Sequence, residues 1–261
     1  MKGNLRFLFF CHGLKLRSMA SYRLDVTIST VASFLHDAAT LLFLSVIFSN
    51  IRQLQGWSFH EMIFIWGFAV VTRNIGYTVF DIVANAYRYI GRGDMDGALV
   101  RPRPILLQMA AVSGFNTFSM GRALVGIAAI VISLQGIHLE WWAWVYLPVA
   151  AVSAVLLQFG MVLLIICISF VTVQTMSLYG AVAWLSQFGQ YPVEIFSPVL
   201  QFIFIWVIPY AMMGFIPAAF MLRGAQYLAL GLVQPALGAV FLAVSLLVWR
   251  AALKRYSSTG S

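Results

Sequence analysis

Six long apolar runs alternate with short polar joints along this chain: 26–49, 60–86, 113–134, 143–168, 198–216 and 229–249. A helix that crosses a bilayer needs about 20 mostly apolar residues, so each run is read as a spanning helix. The joints divide by charge. The N-terminal tail holds Lys2, Arg6, Lys15, Arg17 and Arg23, the joint after the second run holds Arg88, Arg92, Arg101 and Arg103, and the C-terminus holds Arg250, Lys254 and Arg255. The alternate joints are nearly bare, with Arg52 near 50–58, no Lys or Arg over 135–142, and Arg223 before the last run. Basic residues concentrate on cytoplasmic loops, which places both termini in the cytoplasm and fits an even number of spans. Trp141, Trp142, Trp144 and Tyr146 open the fourth run on its outer side, as an aromatic belt does.

Two stretches fit this pattern less cleanly. Residues 170–197, FVTVQTMSLYGAVAWLSQFGQYPVEIFS, are long enough to span but rich in Ser, Thr, Gln and Gly. A seventh span there would push the basic C-terminus outside. A segment at the cytoplasmic interface, or one re-entering the membrane, is preferred, and the seven-span reading stays open. Near the end of the fifth run, Pro209 and Pro217 are expected to break the helix into a short irregular piece on the outer side. Irregular backbone at that depth must be buried in protein or line a cavity.

Residues 1–24 are expected to be retained, because the apolar core FLFF is too short for a signal peptide and basic residues continue through Arg23. Leu5, Leu8, Phe9, Leu16 and Met19 share one helical face and Arg6 and Arg17 the other, while Phe10 spoils the pattern. The expected state is an amphipathic helix lying in the membrane surface; the alternative is a frayed basic tail.

Composition sharpens the class. Of 261 residues, 62% are hydrophobic and 9% charged, against about a quarter charged in soluble domains. The mean hydropathy of +0.91 belongs to the bilayer class: an all-α integral membrane protein of about six transmembrane helices. The net charge of +8 does not argue for nucleic acid, because the basic residues sit at the ends of apolar runs, as orientation signals do. Cys11 and Cys167 are far apart and suggest neither a disulfide framework nor metal spacing.

Chemistry-bearing motifs are scarce. No Gly-x-x-x-x-Gly-Lys-Ser/Thr phosphate loop occurs. His60-Glu61 starts like a zinc-protease helix, but Phe64 stands where the second histidine belongs. Asp94-Met95-Asp96-Gly97 lacks the third acid, the glycine spacing and the closing glutamate of a calcium loop. No nucleophile setting is evident, and the chain is read as a non-enzyme. The intramembrane charges say more: Asp37 in the first run, Arg73 in the second and Arg122 in the third. Charges in a bilayer pair or face water. Asp37 with Arg73 is a depth-matched candidate pair, read first as a registry-fixing contact and second as part of a transport path.

The most polar stretch is GRGDMDGALVRPRP, 91–104. Asp94 suits an N-cap, Asp96 the first helical turn, and Pro102 a stop, which predicts a two-turn helix from Asp94 to Val100. Met95, Ala98 and Leu99 give it an apolar side. Two turns are not stable alone in water, so the helix needs a partner surface. It is either an ordinary inner loop or a docking element for a cytoplasmic protein.

Four motifs carry a resemblance: Gly93-x-x-Asp96-x-x-Leu99-x-x-Pro102, QYPVEIF (190–196), IPYAMMGFIPAAFMLRG (208–224) and the tail YSSTGS (256–261). Together they resemble the permease subunit of an ABC-2-type ABC exporter, within a bacterial subfamily of such permeases. The resemblance covers nearly the whole chain. It implies one transmembrane domain over 1–261, with an amphipathic elbow helix at 1–24, a cytoplasmic coupling loop at 87–104, and both termini cytoplasmic. The ATPase-coupling residues would be Arg92, Gly93, Asp94, Asp96, Leu99, Arg101 and Pro102.

The implied partners are a separate ABC ATPase subunit, which carries ATP and Mg, a second permease chain, identical or related, and the lipid bilayer of the bacterial inner membrane. No cofactor is implied on this chain. ATP-driven closure of the ATPase pair would tilt the permease halves between two states. The alternative is a stand-alone secondary transporter or channel, a class that often shows internal repeats and several midplane ionisable residues. The aromatic and methionine content suits any lipid-facing bundle and names no cargo.

Overall fold

The computed structural model describes residues 23–79, 94–113, 116–168, 170 and 175–254, together with isolated positions between 6 and 17. Among the described residues the chain is helical, with no sheet strand. The helices are α1 (Arg23–Asn50), α2 (Phe59–Val79), α3 (Asp94–Leu99), α4 (Ile105–Ser113), α5 (Thr117–Ser133), α6 (Trp141–Ile168) and α7 (Thr175–Leu185). A tighter turn, Ser186–Gln190, continues α7. Then come α8 (Pro198–Phe202), which widens into the turn Ile203–Val207, and α9 (Tyr210–Met213), α10 (Phe215–Arg223) and α11 (Leu228–Lys254). Arg23–Asn50, Trp141–Ile168 and Phe215–Lys254 are long and apolar enough to cross a membrane.

The third of these stretches is not one straight rod. Gly224 adopts φ 46°, a left-handed conformation that only glycine takes cheaply, and the chain reverses there. Phe220 of α10 consequently lies against Gly231 of α11.

α2 forms the centre of the bundle. Met62, Phe64, Ile65, Trp66, Phe68 and Val70 are all buried, so over 62–70 the helix is covered on every side rather than along one stripe. Its partner α5 comes close because both helices lack a side chain at the crossing. A Cβ on Gly67 would sit 2.9 Å from the Gly126 carbonyl oxygen. Small residues permit such approach where apolar burial gives no drive between helices. α1 packs on α5 and barely touches α2.

α6 and α11 are stitched by polar groups. Pro235 has no N–H, which leaves the Gly231 carbonyl without its helical donor; the Tyr146 hydroxyl donates to it at 2.7 Å. Ser153 Oγ donates to the Gln234 carbonyl at 2.8 Å. Gln234 Nε2 donates to the Ala150 and Met212 carbonyls, each at 3.2 Å.

Residues 198–223 form a helical hairpin. Its bases meet, because the hydroxyl of Tyr227, just past α10, donates to the carboxylate of Glu194, just before α8. Its tip is deep in the bundle, where Thr72 Oγ1 donates to the Met213 carbonyl at 3.0 Å. A Cβ at Gly214 would collide with the Gly189 carbonyl, so the tip can seat only with glycine there. The expected single spanning helix over 198–216 is therefore corrected. Pro198–Val207 is a short apolar helix of about 15 Å, half of the roughly 30 Å hydrocarbon core, and Pro209 ends it. Pro217 does not break its helix as expected. It lies in the first turn of α10, where backbone N–H groups have no helical acceptor to lose.

Candidate functional site

The polar stretch 91–104 does contain a helix. α3 covers Asp94–Leu99, one residue short of the expected end. Its two faces differ sharply. Met95 is buried in a cluster with Ile105 and Met109 of α4, Leu163, Ile166 and Cys167 of α6, and Trp249 of α11, and Ala98 is buried as well. Asp96, Leu99, Val100, Arg101, Pro102 and Arg103 are exposed, Val100 at 83%. The sequence put Leu99 on the apolar side with Met95 and Ala98, but it faces outward. Gln108, which sequence reasoning passed over, clips the loop to α4: its Nε2 donates to the Ala98 carbonyl at 2.9 Å and the Arg103 carbonyl at 2.8 Å. The Arg103 guanidinium stands 3.9 Å over the Phe7 ring, so a residue of the N-terminal segment touches the same loop. Of the proposed coupling residues, Arg92 and Gly93 lie outside the described residues, as do Leu5, Leu8, Phe9, Leu16 and Met19 of the expected amphipathic face.

The intramembrane charges meet differently from expectation. Asp37 does not pair with Arg73. It is fully buried and held by Arg122, whose Nη2 donates at 2.6 Å and whose Nε donates at 2.9 and 3.1 Å to the two carboxylate oxygens. The reason is helix order: α1 lies on α5, which carries Arg122, and not on α2. His36 Nδ1 also lies 3.1 Å from the same carboxylate. Arg73 instead points toward the turn after α7, where Nη1 donates to the Ser186 carbonyl at 3.4 Å and Nη2 to Gln190 Oε1 at 3.5 Å. Both distances are at the limit for a hydrogen bond. Arg73 and Arg122 line one cavity of about 340 Å³, between α2, α5 and α7, with Asn74, Tyr77, Ser119 and Trp184.

A third polar cluster closes the opposite end of the bundle from α3. Ser58 and Glu61 cap α2 reciprocally: the Ser58 N–H donates to Glu61 Oε2 at 2.7 Å and the Glu61 N–H to Ser58 Oγ at 3.4 Å. Arg223, at the end of α10, lies 3.4 Å from Glu61, donates to the Gly56 carbonyl at 2.6 Å and stacks 3.5 Å over the buried Trp57 ring. The hairpin is thus bolted to the start of α2. The Ser-x-x-Glu spacing was a readable signal for the cap, but nothing local predicted its partner 162 residues away.

A family model described as ABC-2 family transporter protein matches residues 34–260, nearly the whole chain. The chain belongs to the ABC-2 transporter family. The matched span takes in α3, the charged residues Asp37, Arg73 and Arg122, and the hairpin. No curated protein and no solved structure matches the chain. As an ABC-2 permease it is a membrane component of a transport system, and the family implies association with an ABC ATPase. Among the described residues of the permease, no three His, Cys, Asp or Glu side chains gather as metal ligands.

Proposed function

We propose that this permease is the membrane-spanning subunit of an ATP-driven exporter and that α3 is the seat for a separate ATPase subunit. The observation that supports it is the two-sidedness of α3. One face is locked by Met95 into the ends of α4, α6 and α11, with Ala98 also buried, and the other is exposed with the acid Asp96 and the apolar Leu99 and Val100. A displacement applied to the outer face has a rigid path into two long helices, because α6 and α11 are themselves tied through Ser153, Tyr146 and Gln234. Packed interiors transmit such movements as whole-body tilts rather than absorbing them.

The membrane path follows the same reading. α1, α2, α4 with α5, α6, α7 with its turn, and α11 make six crossings. The 198–223 hairpin dips back from the outer side, and both termini lie in the cytoplasm of a bacterial inner membrane with the basic α3 end. α7 and Ser186–Gln190 together reach about 26 Å, close to the hydrocarbon thickness, so this reading gives 170–197 a crossing in place of the interfacial or re-entrant position expected from its polarity. A second permease chain, identical or related, completes the path. ATP and Mg belong to the ATPase.

A photo-cross-linking residue at Val100, expressed in the native host, tests the proposal. The expected product is a chain that carries a phosphate-loop motif, in a yield that changes with ATP. A product without such a motif, or none while the same probe at Ile28 reacts with lipid, overturns it.

A further inference from the structure

The cavity between α2, α5 and α7 holds a charge imbalance. Two guanidinium groups line it, and the carboxylate that could neutralise them, Asp37, is fully engaged by Arg122 at 2.6 to 3.1 Å. Arg73 is 7% exposed, and its partners are neutral oxygens at 3.4 and 3.5 Å. Among the described residues, no acid forms an ion pair with it. A buried cation without a counter-ion is costly, and in a membrane protein it faces its partner or a wet cavity. Asn74, Tyr77 and Ser119 add neutral polar groups to the same wall, and the volume of about 340 Å³ lies within the range of small-molecule sites. The rim is of the opposite character: Trp184 is 65% exposed and Phe118 36%, both on the outside of the bundle. A guanidinium fork recognises planar or tetrahedral oxyanions with paired N–H donors, and the indole and phenyl faces suit an alkyl chain.

We propose that this cavity binds an amphiphile with a compact oxyanion head, a phosphate or carboxylate, whose counter-charge is Arg73 and whose apolar tail leaves past Trp184. That such a molecule is cargo rests on the exporter reading; that it binds does not.

The full-length permease in nanodiscs of neutral lipid is titrated with dodecyl phosphate, dodecylphosphocholine and inorganic phosphate, and its thermal midpoint is followed. Dodecyl phosphate should raise the midpoint saturably, and at least tenfold higher concentrations of the other two should be needed for the same shift. Arg73→Gln should lose the shift and Arg73→Lys should keep part of it. If Arg73→Gln does not fold, a second readout stands on the intact site. An alkyl phosphate brominated near its head should quench wild-type fluorescence saturably, with that component missing in Trp184→Phe. Equal effects of dodecyl phosphate and dodecylphosphocholine would overturn the oxyanion head. Equal effects of inorganic phosphate and dodecyl phosphate would overturn the amphiphile. No saturable shift or quenching, or an unchanged shift in a folded Arg73→Gln, would overturn the site. None of these failures touches the ATPase cross-link at Val100.

Discussion

α1 and α2 were both legible as apolar runs, yet they occupy opposite environments. α1 turns Leu24, Ile28, Phe34, Leu35, Leu42 and Phe43 outward and buries Ser33, Asp37 and Leu44. α2 carries Glu61, Thr72, Arg73, Asn74 and Thr78 and is buried on every face from Met62 to Val70. In a soluble protein the bulky apolar side chains of α1 would be turned inward. In lipid the outer solvent is itself apolar, so polarity, small residues and charge mark the inside. The more polar helix is the central one. Asp37, Thr72 and Arg73 reach partners on other segments, while Ser33, Asn74 and Thr78 bond carbonyls of their own helix.

That contrast can be broken or sharpened by substitution. The largest effect belongs to the α2–α5 crossing. Gly126→Leu would drive a side chain into Val71 Cγ2, 2.8 Å from its Cβ, and the Gly67 carbonyl, 3.0 Å away, and the bundle should fail to accumulate in the membrane. Next is the one buried charge on α1. Asp37→Asn strips Arg122 of its partner and should cost about 3 kcal/mol of stability in detergent melting, with part recovered by adding Arg122→Met. Stability unchanged by Asp37→Asn would show that the pair does not form. Met95→Ala comes third: it empties a fully buried position between α3 and α4 and should cost about 2 kcal/mol. The smallest effect is expected on the lipid face. Phe43→Ala, at 60% exposure, should shift stability by less than about 0.5 kcal/mol. A loss as large as that of Asp37→Asn would mean that this face is covered by another chain.

Most of what a local pattern encodes was legible along the chain. The apolar runs, the two-turn helix opening at Asp94, the break at Pro209 and the charges Asp37, Arg73 and Arg122 within apolar helices were all visible in residue types and spacing. The partners were not. Depth along a helix matches Asp37 to Arg73 as well as to Arg122, and only the lateral order of helices decides between them. The hairpin was hidden for a related reason. A ten-residue apolar helix before Pro209 and a nine-residue helix after Gly214 look like one interrupted span until the Tyr227–Glu194 contact shows that both bases lie together. Gln108 and Trp57 left no signal, because a glutamine in an apolar helix and a tryptophan in a polar joint gain meaning only from the groups that surround them.

The central claim is that α3 seats an ATPase, and the most direct measurement is paired purification from native membranes in mild detergent. Wild-type permease should bring down a chain with a phosphate-loop motif at a fixed stoichiometry. Asp96→Arg with Leu99→Arg, two exposed positions on α3, should insert and melt like wild type yet lose that chain. Undiminished recovery with the double variant, or no such chain with the wild type while a control ABC complex survives the same detergent, would contradict the account.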